Sequence, residues 1–568
     1  MRITDSSDLW WKSAIIYCLD IETFCDANGD GVGDLGGLAT RIDYLAELGV
    51  NCLWLMPFYP SPDRDDGYDI VDFYGVDPRL GNHGELVEVI RTAHDRGLRV
   101  VADLIVNHTS DRHPWFKESR RSVDNPHRDF YVWRDTDPGD TSAEVVFPGE
   151  EDSIWAFDER TGQWYLHHFY AHQPDLNLAN PKVMDEVLRT VGFWLELGID
   201  GFRMDAVPFL LQTDADTPAP ADGVDPHAVL KEVRAFLGRR KGDAMLVGEV
   251  NVPHAEQRRF FGGDAGDELH MMFDFISMQA TYLSLAREDP RPLVKALKTR
   301  PRIHPNCQWA TFLRNHDELT LDKLTDAERA EVFAAFGPEP EMQVYDRGLK
   351  RRLPTMLEGD PRRIRMAYSL LFSLPGTPTI YYGEEIGMGE DLAASGRMAV
   401  RTPMQWTPEP SAGFSSARAG RLIQRVTPGG YGPEHVNLAD QEHDPDSLFS
   451  FMRSLISIRR KRPELGWGEF AVIDQPAPSV LAHRIALAGT AVIAVHNFSS
   501  SPATVLLTGV LSPEDSVEDL LEGKSVTHDG ELELSLAGYG FRWLWVKGRG
   551  TLRGGPGGAE RSPVFLPR

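Results

Sequence analysis

The sequence has few cysteines and no long hydrophobic run. Its 568 residues include only Cys18, Cys25, Cys52 and Cys307, which lack metal-ligand spacing and are too few to cross-link a chain of this length. We therefore expect buried free thiols. No stretch of about 18 uncharged apolar residues occurs, and the N-terminus lacks the basic and apolar regions of a secretory signal. These absences predict a cytoplasmic protein without a membrane span.

Basic residues are also scarce relative to acidic ones. The chain has 59 Lys and Arg against 85 Asp and Glu, which gives a net charge of -26. Such a charge disfavours binding to nucleic acid or to an anionic membrane surface, because both would repel the protein. The composition therefore predicts a neutral or cationic ligand. It leaves open whether the chain acts alone or as a homodimer.

Eight apolar runs suited to buried parallel strands recur along the first two thirds of the chain, and most are followed by a segment of helical period. The runs lie at 14–19, 51–57, 99–106, 201–204, 245–250, 271–275, 310–313 and 379–382, with helical patterns such as 38–48, 85–96, 181–197 and 362–374. Eight alternations predict an α/β fold, a (β/α)8 barrel, with functional groups at the C-terminal strand ends. An open doubly wound sheet is the alternative.

Long connections and a change of pattern divide the chain further. The segment after the third strand is rich in Asp, Pro, Trp and His, and the end of the chain shows short alternating runs typical of a β-sandwich. The predicted domains are a catalytic barrel over 1–106 and 177–465, an inserted domain over 107–176, an antiparallel β-sandwich over 466–547 and a disordered tail over 548–568. A second long connection, 319–357, is expected to join the inserted domain as a lid over the barrel mouth.

One loop after the first strand has the pattern of a cation site. Oxygen-bearing side chains alternate with glycines between Asp26 and Asp34, an arrangement that lets hard ligands converge on Ca²⁺ or Mg²⁺. The predicted ligands of this structural ion are Asp26, Asn28, Asp30, Val32 and Asp34. The alternative is a set of solvated Asx turns. No organic cofactor is predicted.

Three carboxylates follow predicted barrel strands. Arg203 stands two residues before Asp205 in an extended segment, so both side chains point to the same side of the strand. A guanidinium at that distance lowers the pKa of a carboxylate and holds it ionised. The alternative is a purely structural pair. Glu249 follows an apolar strand and a glycine, so we expect burial to raise its pKa and suit it to a general acid. Asp317 supplies a third acid, beside His316.

Acids at the ends of the fourth, fifth and seventh strands would surround one point on the barrel axis. Retaining glycoside chemistry needs this set: one carboxylate attacks the anomeric carbon and another protonates the departing oxygen, with the pair about 5 to 5.5 Å apart. The third can stabilise the charge that develops on the sugar. The sequence therefore predicts an enzyme that acts on sugars.

Four segments resemble the signature regions of the α-amylase family of glycoside hydrolases, family 13. They are Asp103-Leu-Ile-Val-Asn107-His108, Gly201-Phe-Arg203-Met-Asp205, Glu249 and Asn315-His316-Asp317, and Gln173-Pro-Asp175-Leu-Asn177 is similar to a fifth. The resemblance implies Asp205 as nucleophile, Glu249 as acid/base and Asp317 as transition-state stabiliser. It further implies sugar contacts from Asp65, Tyr68, His108, Arg203, His316 and Arg401, with Tyr68 stacked under the ring.

The resemblance also narrows the substrate to a small neutral disaccharide or oligosaccharide. Asp65 and Arg401 resemble a pair that clamps the non-reducing end of a terminal glucose, which makes the site a pocket and not an open cleft. Other segments, among them 312–321, are similar to enzymes that interconvert maltose and trehalose, so this isomerisation is the expected reaction. The rivals are an exo-acting α-glucosidase, a glucosyltransferase with another acceptor and a noncatalytic sugar-binding barrel.

Two places depart from the pattern of such isomerases. The segment 18–24 contains Asp20 and Glu22, where those enzymes are more basic. A second cation site would use Asn107, Asp175 and nearby carbonyl groups, but Gln212 stands where a glutamate is expected. Losing that charge should weaken the binding of the second cation.

Overall fold

The computed structural model describes residues 7–210 and 227–548, and eight parallel strands within them close a barrel. The strands are β1 Ile16–Leu19, β2 Cys52–Leu55, β3 Arg99–Leu104, β4 Gly201–Met204, β5 Met245–Gly248, β6 Met271–Phe273, β7 Gln308–Thr311 and β8 Thr377–Tyr381. Ile16 of β1 pairs with both Cys52 of β2 and Thr379 of β8. This closure confirms the barrel and rules out the open sheet.

Helices cover the outside of the barrel. The longer ones are Leu35–Leu48, His83–Asp95, Pro181–Glu196, Ala228–Arg240, Phe275–Arg287, Arg291–Thr299, Asp326–Phe336, Pro361–Ser373 and Leu448–Arg460, and the shorter ones are Ile21–Phe24, Pro114–Ser119, Val207–Leu210, His254–Phe260, Leu353–Met356, Leu438–Gln441 and Glu464–Trp467. Several begin at a side-chain cap: Asp34, Asn82 and Asn180 each accept a hydrogen bond from a backbone N–H of the first turn. These caps fix the point at which each helix leaves its loop.

Two long excursions rise from the C-terminal ends of the barrel strands. Between β3 and β4, a three-stranded antiparallel sheet forms from Trp133–Arg134, Gln163–Leu166 and Trp155–Asp158. Between β7 and β8, a second small sheet forms from Leu319–Thr320, Gly348–Leu349 and Gln343–Val344. Both excursions lie on the side of the barrel that carries the predicted site residues.

The C-terminal part consists of two antiparallel sheets. Their strands are Glu469–Ile473, Val480–Leu487, Thr490–Asn497, Ser516–Asp519, Lys524–Val526 and Phe541–Lys547 in one sheet, and Ala503–Leu507 and Leu532–Leu536 in the other. The sequence pattern indicated five of these strands and missed 503–507, 516–519 and 524–526. Trp543 Nε1 donates to Ser369 Oγ of a barrel helix at 2.9 Å, which ties the larger sheet to the barrel.

The remaining expectations concern thiols, membrane spans and segments outside the described residues. All four cysteines are free and buried, as predicted. Within the described ranges, every helix is too short or too polar to pass through a bilayer. Gln212 and residues 549–568 lie outside the described residues, and the domain boundaries given above stay predictions.

Candidate active site

Arg203 is the centre of the site. It lies in β4 directly beside Asp103 of β3, because the two strands pair Asp103 with Arg203. Its Nη1 lies 2.7 Å from Asp103 Oδ1 and also bonds to Asp205, and its Nη2 lies 2.8 Å from Glu249 Oε2. The guanidinium is 2% exposed. One buried cation thus holds three carboxylates around the barrel axis.

The strand ends determine where the carboxylates lie. Asp205 directly follows β4 and Glu249 directly follows β5, and the Glu249 backbone N–H donates to Met204 O at 3.0 Å. Glu249 Oε2 also accepts a hydrogen bond from Ala206 N at 3.1 Å. Ala206 has φ 51°, a left-handed conformation that is unusual for a residue other than glycine and is typical of functional turns.

Asp317 reaches the same site from the loop after β7. Its carboxylate lies 2.8 Å from Arg397 Nη1, 3.2 Å from Arg401 Nη2 and 3.1 Å from His316 Nε2. Burial acts to raise the pKa of Asp317, but His316, Arg397 and Arg401 together lower it well below its usual range. Asp317 is therefore ionised at neutral pH.

The pKa values of Asp205 and Glu249 are raised, whereas that of Asp317 is lowered. Burial raises the pKa of Asp205 to about 6, and the Arg203 guanidinium only partly offsets this. Arg203 lowers the pKa of Asp205, as predicted, but the net pKa is raised because desolvation and the nearby Asp103 and Asp317 carboxylates outweigh one cation. Burial also raises the pKa of Glu249, to about 7, as predicted.

Asp65 and Arg401 are both in the site, but they are not paired with each other. Asp65 Oδ1 lies 2.5 Å from Arg397 Nη2, and Arg401 Nη1 bonds instead to Asp66. Arg401 Nε also donates to His316 O at 2.9 Å. Each residue thus has an ion-pair partner of its own, because two consecutive aspartates meet two arginines four residues apart. Their joint clamping of a terminal glucose stays a prediction.

Tyr68, His108 and His316 form the wall beside Asp103. Tyr68 Oη lies 2.8 Å from His316 Nε2, and the two rings are parallel within 7° at a centroid distance of 5.7 Å. His108 Nε2 lies 3.2 Å from the Tyr68 carbonyl oxygen. Burial lowers the pKa of both histidines, so they are neutral hydrogen-bonding groups at pH 7.

A cavity of about 350 Å³ opens beside Glu249 and Asp317. Its wall contains several residues that sequence reasoning did not select: Phe147, Phe169, Phe209, Glu318, Asp322, Arg347 and Arg397. They come from the two excursions, from the short helix Val207–Leu210 after β4 and from the loop after β8, where no strand period marks them. In the sequence, only the aromatic content of those loops indicates a hydrophobic wall.

The predicted cation loop contains the Asx turns of the alternative interpretation. Asp26 accepts hydrogen bonds from Gly29 N at 2.6 Å and Gly31 N at 2.8 Å, and Asn28 Oδ1 accepts from Asp30 N at 2.9 Å. Gly29 and Gly31 have φ +80° and +102°, which lets the loop curl around its own oxygens. The donor set consists of oxygens alone, and it fits a hard cation.

A different group of acids lies closer together. In the part of the chain that the structure describes, the acidic side chains whose oxygens all lie within 4.8 Å of one another are Glu22, Asp63 and Asp66. Arg79 already lies 2.7 Å from Glu22 and 2.8 Å from Asp63. Arg79 offsets part of the negative charge at Glu22, but burial and the nearby Asp66, Asp20 and Asp63 carboxylates still raise the pKa of Glu22 to about 9. At the second cation position considered above, Asn107 Nδ2 donates to Asp175 Oδ1 at 3.2 Å.

Fold and site together define a (β/α)8 barrel that gathers buried carboxylates at the C-terminal side of its strands. A family model for the alpha amylase catalytic domain matches residues 19–334 and 348–468, and one for the sucrose hydrolase-like C-terminal domain matches 489–545. The chain belongs to the alpha-amylase family. Residues 335–347 lie outside the match to the catalytic domain.

Among similar proteins, the trehalose synthase/amylase TreS of Mycobacterium tuberculosis (strain CDC 1551 / Oshkosh) is 41% identical over 94% of this chain and 90% of its own length. The trehalose synthase of Pimelobacter sp. (strain R48) is 40% identical over 96% of this chain and 98% of its own. The oligo-1,6-glucosidase of Parageobacillus thermoglucosidasius is 32% identical over 86% of this chain and 91% of its own.

Solved structures agree with the fold. The trehalulose synthase MutB from Pseudomonas mesoacidophila MX-45 has a TM-score of 0.73 at 28% identity, covering 95% of this chain and 99% of that one. The alpha-amylase from H. orenii has a TM-score of 0.75 at 27% identity, covering 94% and 99%. Variants of MutB have been solved with sucrose, isomaltulose and glucose.

Proposed function

We propose that this enzyme transfers α-glucosyl groups of short α-glucosides with retention, and that its main reaction is the isomerisation of maltose to trehalose. The observation that carries the proposal is the bridging of Asp205 and Glu249 by one guanidinium. Sharing Arg203 keeps the two carboxyl groups near each other, which favours the separation of about 5 to 5.5 Å that double displacement requires. The names of the relatives that are 40% and 41% identical support trehalose as the product.

In the first step Asp205 attacks the anomeric carbon of the terminal glucose and forms a covalent β-glucosyl-enzyme. Glu249 donates its proton to the glycosidic oxygen, so the second glucose leaves as a neutral molecule. The pKa values of about 6 and about 7 leave Asp205 mostly ionised and Glu249 about half protonated at neutral pH. Asp317, held ionised by its arginines, faces the positive charge that develops on the sugar.

In the second step the freed glucose turns within the site and attacks the same anomeric carbon through its own anomeric hydroxyl. Glu249 now accepts the proton of that hydroxyl, and the bond to Asp205 breaks. Because water can attack the same intermediate, the product depends on whether water is excluded. The phenylalanines at 147, 169 and 209 in the cavity wall favour exclusion.

The glucose bound at the reacting position is held by groups that surround Asp205. We assign sugar contacts to Asp65, Tyr68, His108, Arg203, His316 and Arg401. Arg397 joins this set because it binds both Asp65 and Asp317. Paired arginines and aspartates at one end close the site into a pocket, which suits a short substrate with a terminal glucose.

A structural Ca²⁺, with Mg²⁺ as the alternative, is part of the proposal. Asp26, Asn28, Asp30, Val32 and Asp34 would hold it in the loop after β1. The ion would supply positive charge that holds the loop's oxygens together and would take no part in the reaction. Asp34 also caps the helix Leu35–Leu48, so the loop supports the first barrel helix.

Incubating the purified protein with maltose tests the proposal. Trehalose in excess of free glucose supports isomerisation, whereas glucose alone points to the second candidate, an exo-acting α-glucosidase, which the oligo-1,6-glucosidase relative favours. Asp205→Asn should abolish turnover of maltose. The control is Asp264→Asn, because the Asp264 side chain is 94% exposed and pairs with the surface residue Arg258. Full turnover in the Asp205 variant would overturn the assignment.

A further inference from the structure

Glu22 is a buried acid that the proposed reaction does not use. It lies in the short helix Ile21–Phe24, where its backbone N–H donates to Asp20 Oδ1 at 2.9 Å. Its carbonyl oxygen accepts a hydrogen bond from Gly33 N at 2.7 Å. These bonds fix the backbone of Glu22, and its side chain is only 9% exposed.

The carboxyl group of Glu22 meets two others from the loop after β2. One oxygen each of Glu22, Asp63 and Asp66 lies within 4.8 Å of the other two, and we call these residues the acid cluster. Asp63 and Asp66 have left-handed backbones, with φ 61° and 51°, a conformation that surrounding contacts must hold in place. Like charges this close in a buried site disfavour each other, so ionisation of all three carboxyl groups is unfavourable.

The cations around the acid cluster are too few to balance it. Arg79 lies 2.7 Å from Glu22 and 2.8 Å from Asp63, but it also pairs with Asp77 at 3.1 Å. Arg401 bonds to Asp66. In the described part of the chain, two guanidiniums are thus paired within a group of five facing carboxyl groups, those of Asp20, Glu22, Asp63, Asp66 and Asp77.

Glu22 is the member of the acid cluster that keeps a proton at neutral pH. Burial and the Asp66, Asp20 and Asp63 carboxylates raise the pKa of Glu22 to about 9, which outweighs the effect of Arg79. Burial raises the pKa of Asp63 only to about 6. With Glu22 neutral, the Arg79 guanidinium is left to the ionised Asp63 and Asp77.

Asp66 connects the acid cluster to the sugar pocket through Arg401. The Arg401 side chain is 1% exposed, so bulk water cannot take the place of Asp66 as its partner. Arg401 Nε donates to His316 O at 2.9 Å, and Nη2 lies 3.2 Å from Asp317 Oδ1. A negative charge on Glu22 would repel Asp66, which would then move or take up a proton. Either change weakens the hold of Asp66 on Arg401.

We propose that Glu22 is a positioning residue that stays protonated while the enzyme works, so that Asp66 holds Arg401 in the sugar pocket. This inference rests on the proposed function, which assigns Arg401 as a sugar contact. The proton of Glu22 is not transferred in the reaction. Its loss at alkaline pH weakens sugar binding and leaves Asp205 and Glu249 in place.

The first test measures maltose binding by calorimetry in an Asp205→Asn background, in which the sugar is not turned over. With Glu22 present, the Kd should rise about tenfold as the pH passes through about 9, because one charge-assisted contact of the sugar weakens. Glu22→Gln keeps the shape and cannot ionise, so this rise should be absent. Glu88→Gln is the matched control: Glu88 also pairs with an arginine, Arg91, but is 53% exposed, and the rise should remain.

The second test measures thermal unfolding of the Glu22→Gln variant. Folding raises the pKa of Glu22 above its unfolded value of about 4.3, so keeping the proton costs stability that grows from there to about pH 9. Glu22→Gln removes this cost. Its unfolding midpoint should exceed that of the unmodified protein, by more at about pH 8 than at about pH 5. An ionised Glu22 that only pairs with Arg79 predicts the opposite sign.

The outcomes separate this inference from the proposed function. If the Asp205→Asn protein binds no maltose at any pH, the proposed function fails, and the role of Glu22 fails with it. If maltose binds and its Kd does not change through about pH 9, or changes equally with Glu22→Gln, the role of Glu22 alone is overturned. A lower unfolding midpoint for Glu22→Gln at about pH 8 also overturns it, because that result belongs to an ionised structural partner of Arg79.

Discussion

Arg397 binds Asp65, with 2.5 Å between Arg397 Nη2 and Asp65 Oδ1. Its other terminal nitrogen lies 2.8 Å from Asp317 Oδ1. A planar guanidinium can hold two carboxylates in a fixed mutual geometry, whereas the single ammonium of a lysine cannot. The link couples the closed end of the pocket to the proposed transition-state stabiliser.

Replacing Arg397 should therefore damage catalysis even where the charge is kept. In Arg397→Lys we expect kcat/KM for maltose to fall about 100-fold, since one of two charge-assisted hydrogen bonds, each about 1.5 to 3 kcal/mol, is lost and the other is misplaced. Initial rates over a range of maltose concentrations give this value. Arg91→Lys is the control, because the Arg91 side chain is 68% exposed and pairs with Glu88 on the surface. An unchanged kcat/KM in Arg397→Lys would contradict a role of Arg397 in the site.

The two raised pKa values predict a narrow bell-shaped pH profile. Asp205 must be ionised to attack, so kcat/KM should rise with pH through about 6, and Glu249 must be protonated to donate, so it should fall above about 7. Because the two acids titrate as a coupled pair, the apparent pKa values read from the rising and falling limbs describe the pair. The measurement is kcat/KM for maltose from pH 4.5 to about 9.

Glu249→Gln supplies the control for the falling limb. With an aryl α-glucoside whose leaving group needs no proton, formation of the glucosyl-enzyme should persist in this variant. The rate of that step should no longer fall between pH 7 and about 9. If the rate of this step still falls above pH 7 in Glu249→Gln, a group other than Glu249 is responsible for the falling limb.

Asp200 predicts a pH dependence of stability. It is 1% exposed, and it bonds to His94 at 2.7 Å, Lys241 at 2.8 Å and Arg99 at 2.9 Å. Burial acts to raise the pKa of Asp200, but the hydrogen bonds from His94 and Lys241 and the charge of Lys241 lower it below its usual range. The ionised form is thus favoured in the folded protein, and its contribution is complete above the unfolded-state pKa of about 3.9 and lost as the pH falls below it.

Asp200→Asn should consequently destabilise the protein by about 3 to 5 kcal/mol at pH 7, because it leaves buried cations without their partner. The difference from the unmodified protein should shrink below about pH 4. Urea unfolding at several pH values measures it. Asp43→Asn, at a side chain that is 65% exposed, should have little effect. A constant difference down to pH 3 would contradict the assigned pKa shift.

The cation loop predicts stabilisation by calcium. Adding Ca²⁺ after treatment with a chelator should raise the midpoint of thermal unfolding, because a ligand that binds the folded state alone adds about 2.7 kcal/mol at a hundred times its dissociation constant. Asp30→Asn should remove most of this rise while leaving the Asx turn to Val32 N possible. A midpoint that does not respond to Ca²⁺ or Mg²⁺ in the unmodified protein would favour the solvated-turn interpretation.

Sequence by itself determined the barrel and the positions of its acids. Buried parallel strands read as continuous apolar runs, and in a barrel the residue after each run must lie at the same rim, so Asp205 and Glu249 could be placed from the pattern. The three missed C-terminal strands, 503–507, 516–519 and 524–526, are short and partly exposed, and their alternation is too weak to mark them.

Tertiary structure alone decided the pairing and the electrostatics of the site. Arg397 comes from a loop, whose side chains have no periodicity that fixes their direction, so its contacts with Asp65 and Asp317 could not be predicted from spacing. The pKa of Asp205 depends on a balance between burial, Arg203 and neighbouring carboxylates, all of them set by distances across strands. Local sequence names the charged groups, and only the fold determines how far each lies from water and from the others.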